Sequence, residues 1–320
     1  MEPYYHITPE QREAQQLKKS STFVAVILLA MMLTELVLTV VSQLGLLAPV
    51  TRWVDTYEEV MLFNMIVYVV CLAVPAVAVA LIGGYRRNPF ASKRVGGGTL
   101  CVGVFGGMAV AIFANVAASW LMNWLTMLGI PEPEMPDMIE PTLVSLALNI
   151  VLTAVLPAFI EEMIFRGYIL GALRVHGDGI AVVVSAVLFG LFHGNILQIP
   201  FALILGLVMG YLVVQTDSIW PAVLLHFTNN LMSVLLTFFG KCYPDYRDMI
   251  HTVTFAAVTA IGAVVLTVLR RVGYFNPVGN GVSSFRVRER VGKLLSAPLM
   301  VLALIGLLAI LFYSMGSGQA

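Results

Sequence analysis

Glu161, Glu162 and Arg166 stand inside PAFIEEMIFR, residues 157 to 166, whose other members are almost all apolar. Burying such charges costs several kcal/mol unless they are paired or put to use. On a helix, Glu162 and Arg166 lie four apart on one face and can pair as ions. Glu161 is turned about 100° away and is left to act on something else. His193 with Asn195, His226 with Asn229 and Asn230, and Asp217 beside a turn are the other polar interruptions of the apolar second half. A carboxylate, two imidazoles and an amide converging within a bilayer suit hydrolysis. In that chemistry Glu161 is a general base towards a water held jointly with His193, while His226 and the Asn230 amide stabilise the oxyanion on a scissile carbonyl.

The elements carrying these residues must bring them to one depth. If two helices turn back near Gly177 and Gly179, Glu161 lies 16 residues before Gly177 and His193 lies 16 after it. Equal counts on an antiparallel pair give equal depth. His226 and Asn230, four apart, share a face of a later helix. Pro157 lacks an N–H and clashes with the carbonyl four residues back, which predicts a bend just before the glutamates.

The chain of 320 residues is 59% hydrophobic and 11% charged, with a mean hydropathy of +0.90. Such a composition excludes a soluble enzyme and indicates an all-α polytopic membrane protein. Apolar runs near 22–47, 60–83, 96–122, 142–172, 179–194, 198–215, 219–239, 248–270 and 294–315 give eight to nine transmembrane helices, the fifth and sixth being short. Fourteen basic residues, among them Lys18, Arg86, Arg87, Lys93, Arg174 and Arg290, fall in loops on one side. The other side has Arg52, Lys241 and Arg247 and an acidic loop with Glu132, Glu134, Asp137 and Glu140. Because cytoplasmic loops carry the excess of Lys and Arg, the N-terminus is expected in the cytoplasm, with the chain an integral protein of a bacterial cell membrane.

The motifs E-E-x-x-x-R (Glu161, Glu162, Arg166), F-x-x-x-H (Phe189, His193) and H-x-x-x-N (His226, Asn230) occur in order and at family-like separations. In these the chain resembles the CAAX protease and bacteriocin-processing (CPBP, Abi) family of intramembrane proteases, related to the Ras-converting CAAX endopeptidase. The resemblance covers about residues 140 to 240 and implies a four-helix catalytic core there. Residues 1–139 and 241–320 are then N-terminal and C-terminal transmembrane helices, the latter with a basic cytoplasmic loop. It implies Glu161, His193, His226 and Asn230 as catalytic residues, with Glu162, Arg166 and Phe189 in support. The expected substrates are hydrophobic or membrane-associated peptides, including prenylated CAAX-type proteins and peptide precursors. Lipid is the other expected partner; nucleic acid is not one.

Two histidines and two carboxylates are zinc-ligand types, but the chain has no H-E-x-x-H, and the resemblance favours water activated without a cofactor. A non-proteolytic scaffold or immunity protein of the same fold is the alternative. A proton-coupled transporter would call for paired half-repeats that do not stand out. Cys71, Cys101 and Cys242 have no metal-ligand or disulfide spacing. Glu35, alone in the first span, reads either as a functional acid or as one that is protonated or paired with a neighbouring helix's Asn or Thr. His176 and His251 read as solvated near loops, and Gly96–Gly98 and Gly106–Gly107 as helix-packing residues.

Overall fold

The computed structural model describes residues 7–85, 88–90, 93–129, 139–271 and 276–317. Arg86 and Arg87, and the acidic Glu132, Glu134 and Asp137, lie outside the described residues. Those described form an all-α polytopic membrane protein, with no strand among them. Among the described residues, eight helices are long and apolar enough to cross a bilayer: α1 (Pro9–Gln43), α2 (Tyr57–Ile82), α3 (Gly97–Met127), α4 (Leu143–His176), α6 (Gln198–Thr216), α7 (Trp220–Cys242), α8 (Pro244–Arg271) and α10 (Pro298–Met315). Between α4 and α6 lies α5 (Asp178–Phe192), apolar but only 15 residues long, and α9 (Val287–Leu295) is a short basic helix before α10. The expected fifth span is thus the short one, and the sixth is long enough to cross.

Two helices are locally under-wound to i→i+5 hydrogen bonding in three segments: α2 at Val69–Ala73, and α4 at Ile150–Val155 and again at Met163–Leu170. Such π segments insert a residue into the turn and re-aim the side chains that follow. Pro157 sits between the two in α4, at the start of the α-helical stretch Leu156–Glu162 that holds both glutamates.

The direction of each helix follows from its polar contacts. Tyr57, at the start of α2, hydrogen-bonds Ser145 and Asn149 at the start of α4, at 2.7 Å in each case. Farther along, Tyr85 hydrogen-bonds the Gly167 carbonyl, so α2 and α4 run side by side in one direction. Gly177, with φ of 118°, makes the turn into α5, which runs back antiparallel. The α5 helix packs on α6, α3 packs on α6, α7 and α8, and α1 packs on α2 and α10.

Close approach between helices depends on glycine at a few points. A Cβ on Gly107 would lie 2.4 Å from the buried Leu225 of α7, and one on Gly262 would lie 2.2 Å from Ala109. Gly96, Gly97 and Gly98 have open space within 4 Å, so only the second glycine run packs helices. Phe165, Ile164, Leu28, Leu188 and Phe189 are fully buried at the centre.

Basic loops meet at one end of the bundle. Asp217, which ends α6 in a left-handed conformation (φ 49°), pairs with Lys93 at 2.7 Å and with Arg174 at 2.9 Å; Arg174 also holds Asp178. Arg290 of α9 donates to the backbone carbonyls of His176 and Asn280. His176, expected in solvent, is buried there and hydrogen-bonded to Ser20 of α1 at 2.9 Å.

Hydrogen bonds from Lys93 and Arg174 hold the Asp217 carboxyl below the usual carboxylate range. A carboxylate depressed in the folded state contributes stability above its unfolded pKa, and loses it as pH falls through the folded value. Asp217→Asn is expected to lower the melting temperature in detergent at neutral pH, by the equivalent of about 0.5–1 kcal/mol after solvent screening. The gap between variant and wild type should close as pH is taken below about 4. An equal gap at every pH would contradict this.

Candidate active site

Glu162 is the anchor. Its Oε1 accepts from Arg166 Nη1 at 2.8 Å and from His226 Nδ1 at 2.9 Å, joining α4 to α7. Both members of the ion pair have fully buried side chains. Arg166 also donates to the Gly206 carbonyl of α6 at 3.3 Å, and its guanidinium carbon lies 4.4 Å from the centre of the Phe189 ring. Phe189 in turn meets the His193 ring edge-on at 4.8 Å and the His226 ring at 6.0 Å. One guanidinium and one aromatic ring thus connect four helices. The sequence reading gave Glu162 to Arg166 alone; the structure adds His226 to the same oxygen.

A carboxylate can only accept, so His226 donates through Nδ1 and turns Nε2 the other way. That Nε2 lies 3.9 Å from Glu161 Oε2. An oxygen atom about 2.8 Å from each would fit that separation. Glu161 Oε2 is buried and has no hydrogen-bond partner, whereas Oε1 accepts from the Tyr68 hydroxyl of α2 at 2.5 Å. Each of the adjacent glutamates keeps one buried oxygen without a partner, Oε2 in both, but Glu162 is tied twice through its Oε1, to a guanidinium and an imidazole, whereas Glu161 is held only by a hydroxyl.

Glu161 and His193 line one cavity of about 370 Å³ with Tyr68, Asn64, Cys71 and Glu35. The depth match read across Gly177 brings these two residues to the same space. His193, at the end of α5, hydrogen-bonds through Nδ1 to the Phe189 carbonyl at 2.8 Å. A carbonyl accepts, so Nδ1 carries the proton and the neutral ring keeps an acceptor at Nε2. The cavity thus has a carboxylate and an imidazole acceptor, both held by backbone or hydroxyl partners.

Asn230 lies apart from that cavity. Its amide donates to the Thr153 carbonyl at 2.9 Å, and its own oxygen accepts from Asn229 at 3.1 Å. Thr153 is four residues before Pro157, so the proline cannot supply an N–H to that carbonyl. Asn230 therefore binds α7 to α4 where α4 is distorted, and one amide hydrogen remains to it. Asn229 is a packing residue, as its burial and this bond indicate.

Tyr68 and Glu35 were not assigned to the site from the sequence. Asn64, Tyr68 and Cys71 recur at helical spacing on one face of α2, a polar stripe in an apolar span that could have drawn notice. The Asn or Thr partner expected for Glu35 is not found: its carboxylate makes no hydrogen bond or ion pair among the described residues and lines the cavity instead. Among the described residues no three His, Cys, Asp or Glu side chains converge as metal ligands.

Residues 143–232 match the family described as "Type II CAAX prenyl endopeptidase Rce1-like". The chain is 26% identical over 180 residues to a Bacillus subtilis (strain 168) protein named "Putative membrane peptidase YdiL", covering 55% of this chain and 71% of that one. No solved structure matches it significantly. The family match spans Glu161, Glu162, Arg166, Phe189, His193, His226 and Asn230 together. The resemblance drawn from their motifs therefore holds.

Removing one partner of a buried, hydrogen-bonded charge pair typically costs about 3–5 kcal/mol. Arg166→Met should accordingly lower the melting temperature of the purified protein strongly. Glu162→Gln combined with Arg166→Met should recover much of that loss, because it removes the stranded carboxylate. A double variant no more stable than Arg166→Met would contradict the anchor described here.

Proposed function

We propose that this chain, a membrane-embedded protease of the CPBP family by its Rce1-like core, is an endopeptidase in which Glu161 activates the attacking water. One observation carries the reading: Glu161 lines a cavity together with His193 and has an unpartnered oxygen, while Glu162, bound to Arg166 and His226, does not line it.

Water donates hydrogen bonds to Glu161 Oε2 and His193 Nε2. Glu161 takes a proton as the water oxygen bonds to the scissile carbonyl carbon, and negative charge develops on the carbonyl oxygen. The Tyr68 hydroxyl holds the other oxygen of Glu161, fixing which face of the carboxylate meets the water. His226, when its Nε2 carries a proton, faces the site as the oxyanion partner. Asn230 acts through its hold on Thr153, positioning α4. When the C–N bond breaks, Glu161 returns its proton to the leaving amine. No step is routed through a metal.

Largely apolar walls, with Val67, Leu72, Leu152 and Phe192 among them, suit a hydrophobic or lipid-modified peptide. A prenylated CAAX-type protein, the substrate class in the matched family's name, is one such substrate, and a peptide precursor is another. The chain resides in a bacterial cell membrane with its basic end, and so its N-terminus, in the cytoplasm. Residues 140–240 form the catalytic core, and the flanking helices close the cavity through α1 and α2.

The test is mass spectrometry of a mixed pool of hydrophobic and C-terminally lipidated peptides after incubation with the full-length protein. Wild type should cleave, Glu161→Gln should cleave at least about 100-fold more slowly, and a chelator should change nothing. Loss of activity with the chelator would replace this mechanism by a metal-dependent one. No cleavage by folded wild type would favour the non-proteolytic scaffold.

A further inference from the structure

Among the described residues, Glu35 is the one acid in the middle of a membrane span that the proposed chemistry leaves unused. Its depth follows from a hydrogen bond at the basic end of the bundle. Ser20 of α1 meets His176 at the end of α4, at 2.9 Å. From that contact Glu35 is 15 residues along α1, and Glu161 is 15 residues back along the antiparallel α4. Both therefore stand about 22 Å from it, at the same level in the membrane. The cavity lining agrees, since the two carboxylates share it.

The charge of that cavity is one-sided. Glu35 and Glu161 line it, and no Lys or Arg does; Arg166 is fully buried against Glu162 elsewhere. An acid within a membrane span is costly to keep and marks a functional pathway or a counter-charge. The Glu35 carboxylate has no counter-charge and makes no hydrogen bond among the described residues, and the residue is exposed and lines the cavity. Asn64 and Tyr68, on the adjoining face of α2, add polar groups beside it.

The geometry points to Glu35 as a specificity-determining residue that receives a lysine or arginine side chain of the substrate, close to the bond that Glu161 hydrolyses. This rests on the protease reading and adds to it a substrate class: apolar peptides with a cation near the cleavage point. In surroundings of low dielectric a carboxylate facing such a cation discriminates strongly against an uncharged side chain of the same length. Glu35 does not touch the reacting atoms, so its effect belongs in substrate binding.

The experiment uses hydrophobic decapeptides that differ only in one lysine, walked through successive positions, with norleucine at the same position as the uncharged partner. Two quantities are read: kcat/KM of the full-length protein in nanodiscs, and affinity for its Glu161→Gln variant, which reports binding without cleavage. At one or two adjacent positions lysine should exceed norleucine at least about tenfold in kcat/KM, mainly through KM. Affinity for Glu161→Gln should show the same preference. Adding Glu35→Gln should bring the lysine-to-norleucine ratio close to one in both measurements, and Glu35→Asp should keep part of it.

A ratio near one in the wild type, or a lysine preference that survives Glu35→Gln, would overturn the assignment. Lysine-selective binding that depends on Glu35 without any cleavage would uphold this subsite and overturn the protease reading. Cleavage with no lysine preference would do the reverse, and neither cleavage nor binding of any peptide would overturn both.

Discussion

The buried contact of Glu162 with Arg166 and His226 is the constraint on which the rest of the site depends. Two charges with no exposed side-chain surface are tolerable only because each is multiply bonded. Arg166 reaches Glu162, the Gly206 carbonyl and the Phe189 ring, and Glu162 takes His226 as its second donor. Fixing α4, α5, α6 and α7 against one another in this way costs desolvation, and it leaves Glu161 pointing off the anchored face. The same one-residue step that pairs one carboxylate releases the other.

Around that anchor the helix irregularities have a consistent sense. The α4 helix is under-wound before and after its glutamates, and α2 is under-wound immediately after Tyr68. Each wide turn re-aims the groups next to it. Asn230 binds the Thr153 carbonyl within the first of these segments, and Tyr68 binds Glu161 next to the second. Backbone distortion deep in a bilayer is sustainable where protein groups satisfy the disturbed polar atoms. Here the groups that do so are those surrounding the proposed reaction centre.

Much of this was legible in the sequence. Composition and apolar runs of about 20 residues set the helical membrane fold, and the short α5 stood out by its length. The four-residue spacing of Glu162 and Arg166 announced their pair, and equal counts about Gly177 announced the meeting of Glu161 with His193. What was not legible lies in contacts between distant segments. Tyr68 is 93 positions from Glu161, and its role depends on α2 running parallel to α4, which hydropathy does not encode. His226 was placed on the correct face, but its hold on Glu162 depends on how α7 rotates against α4. His176 looked like a loop residue because its burial comes from α1, far away in the chain. Glu35 was noticed as an anomaly, yet its neighbours could not be named until α1 was in place.

The central claim is that Glu161 acts on water and does not itself attack the peptide. Single-turnover hydrolysis in water labelled with oxygen-18, followed by mass spectrometry of the amino-terminal fragment, tests it most directly. Direct attack by an activated water puts one solvent oxygen into the new carboxyl group in the first turnover, and that is the result this account predicts. A first-turnover product that carries unlabelled oxygen instead would mean a covalent intermediate on Glu161, and would contradict it.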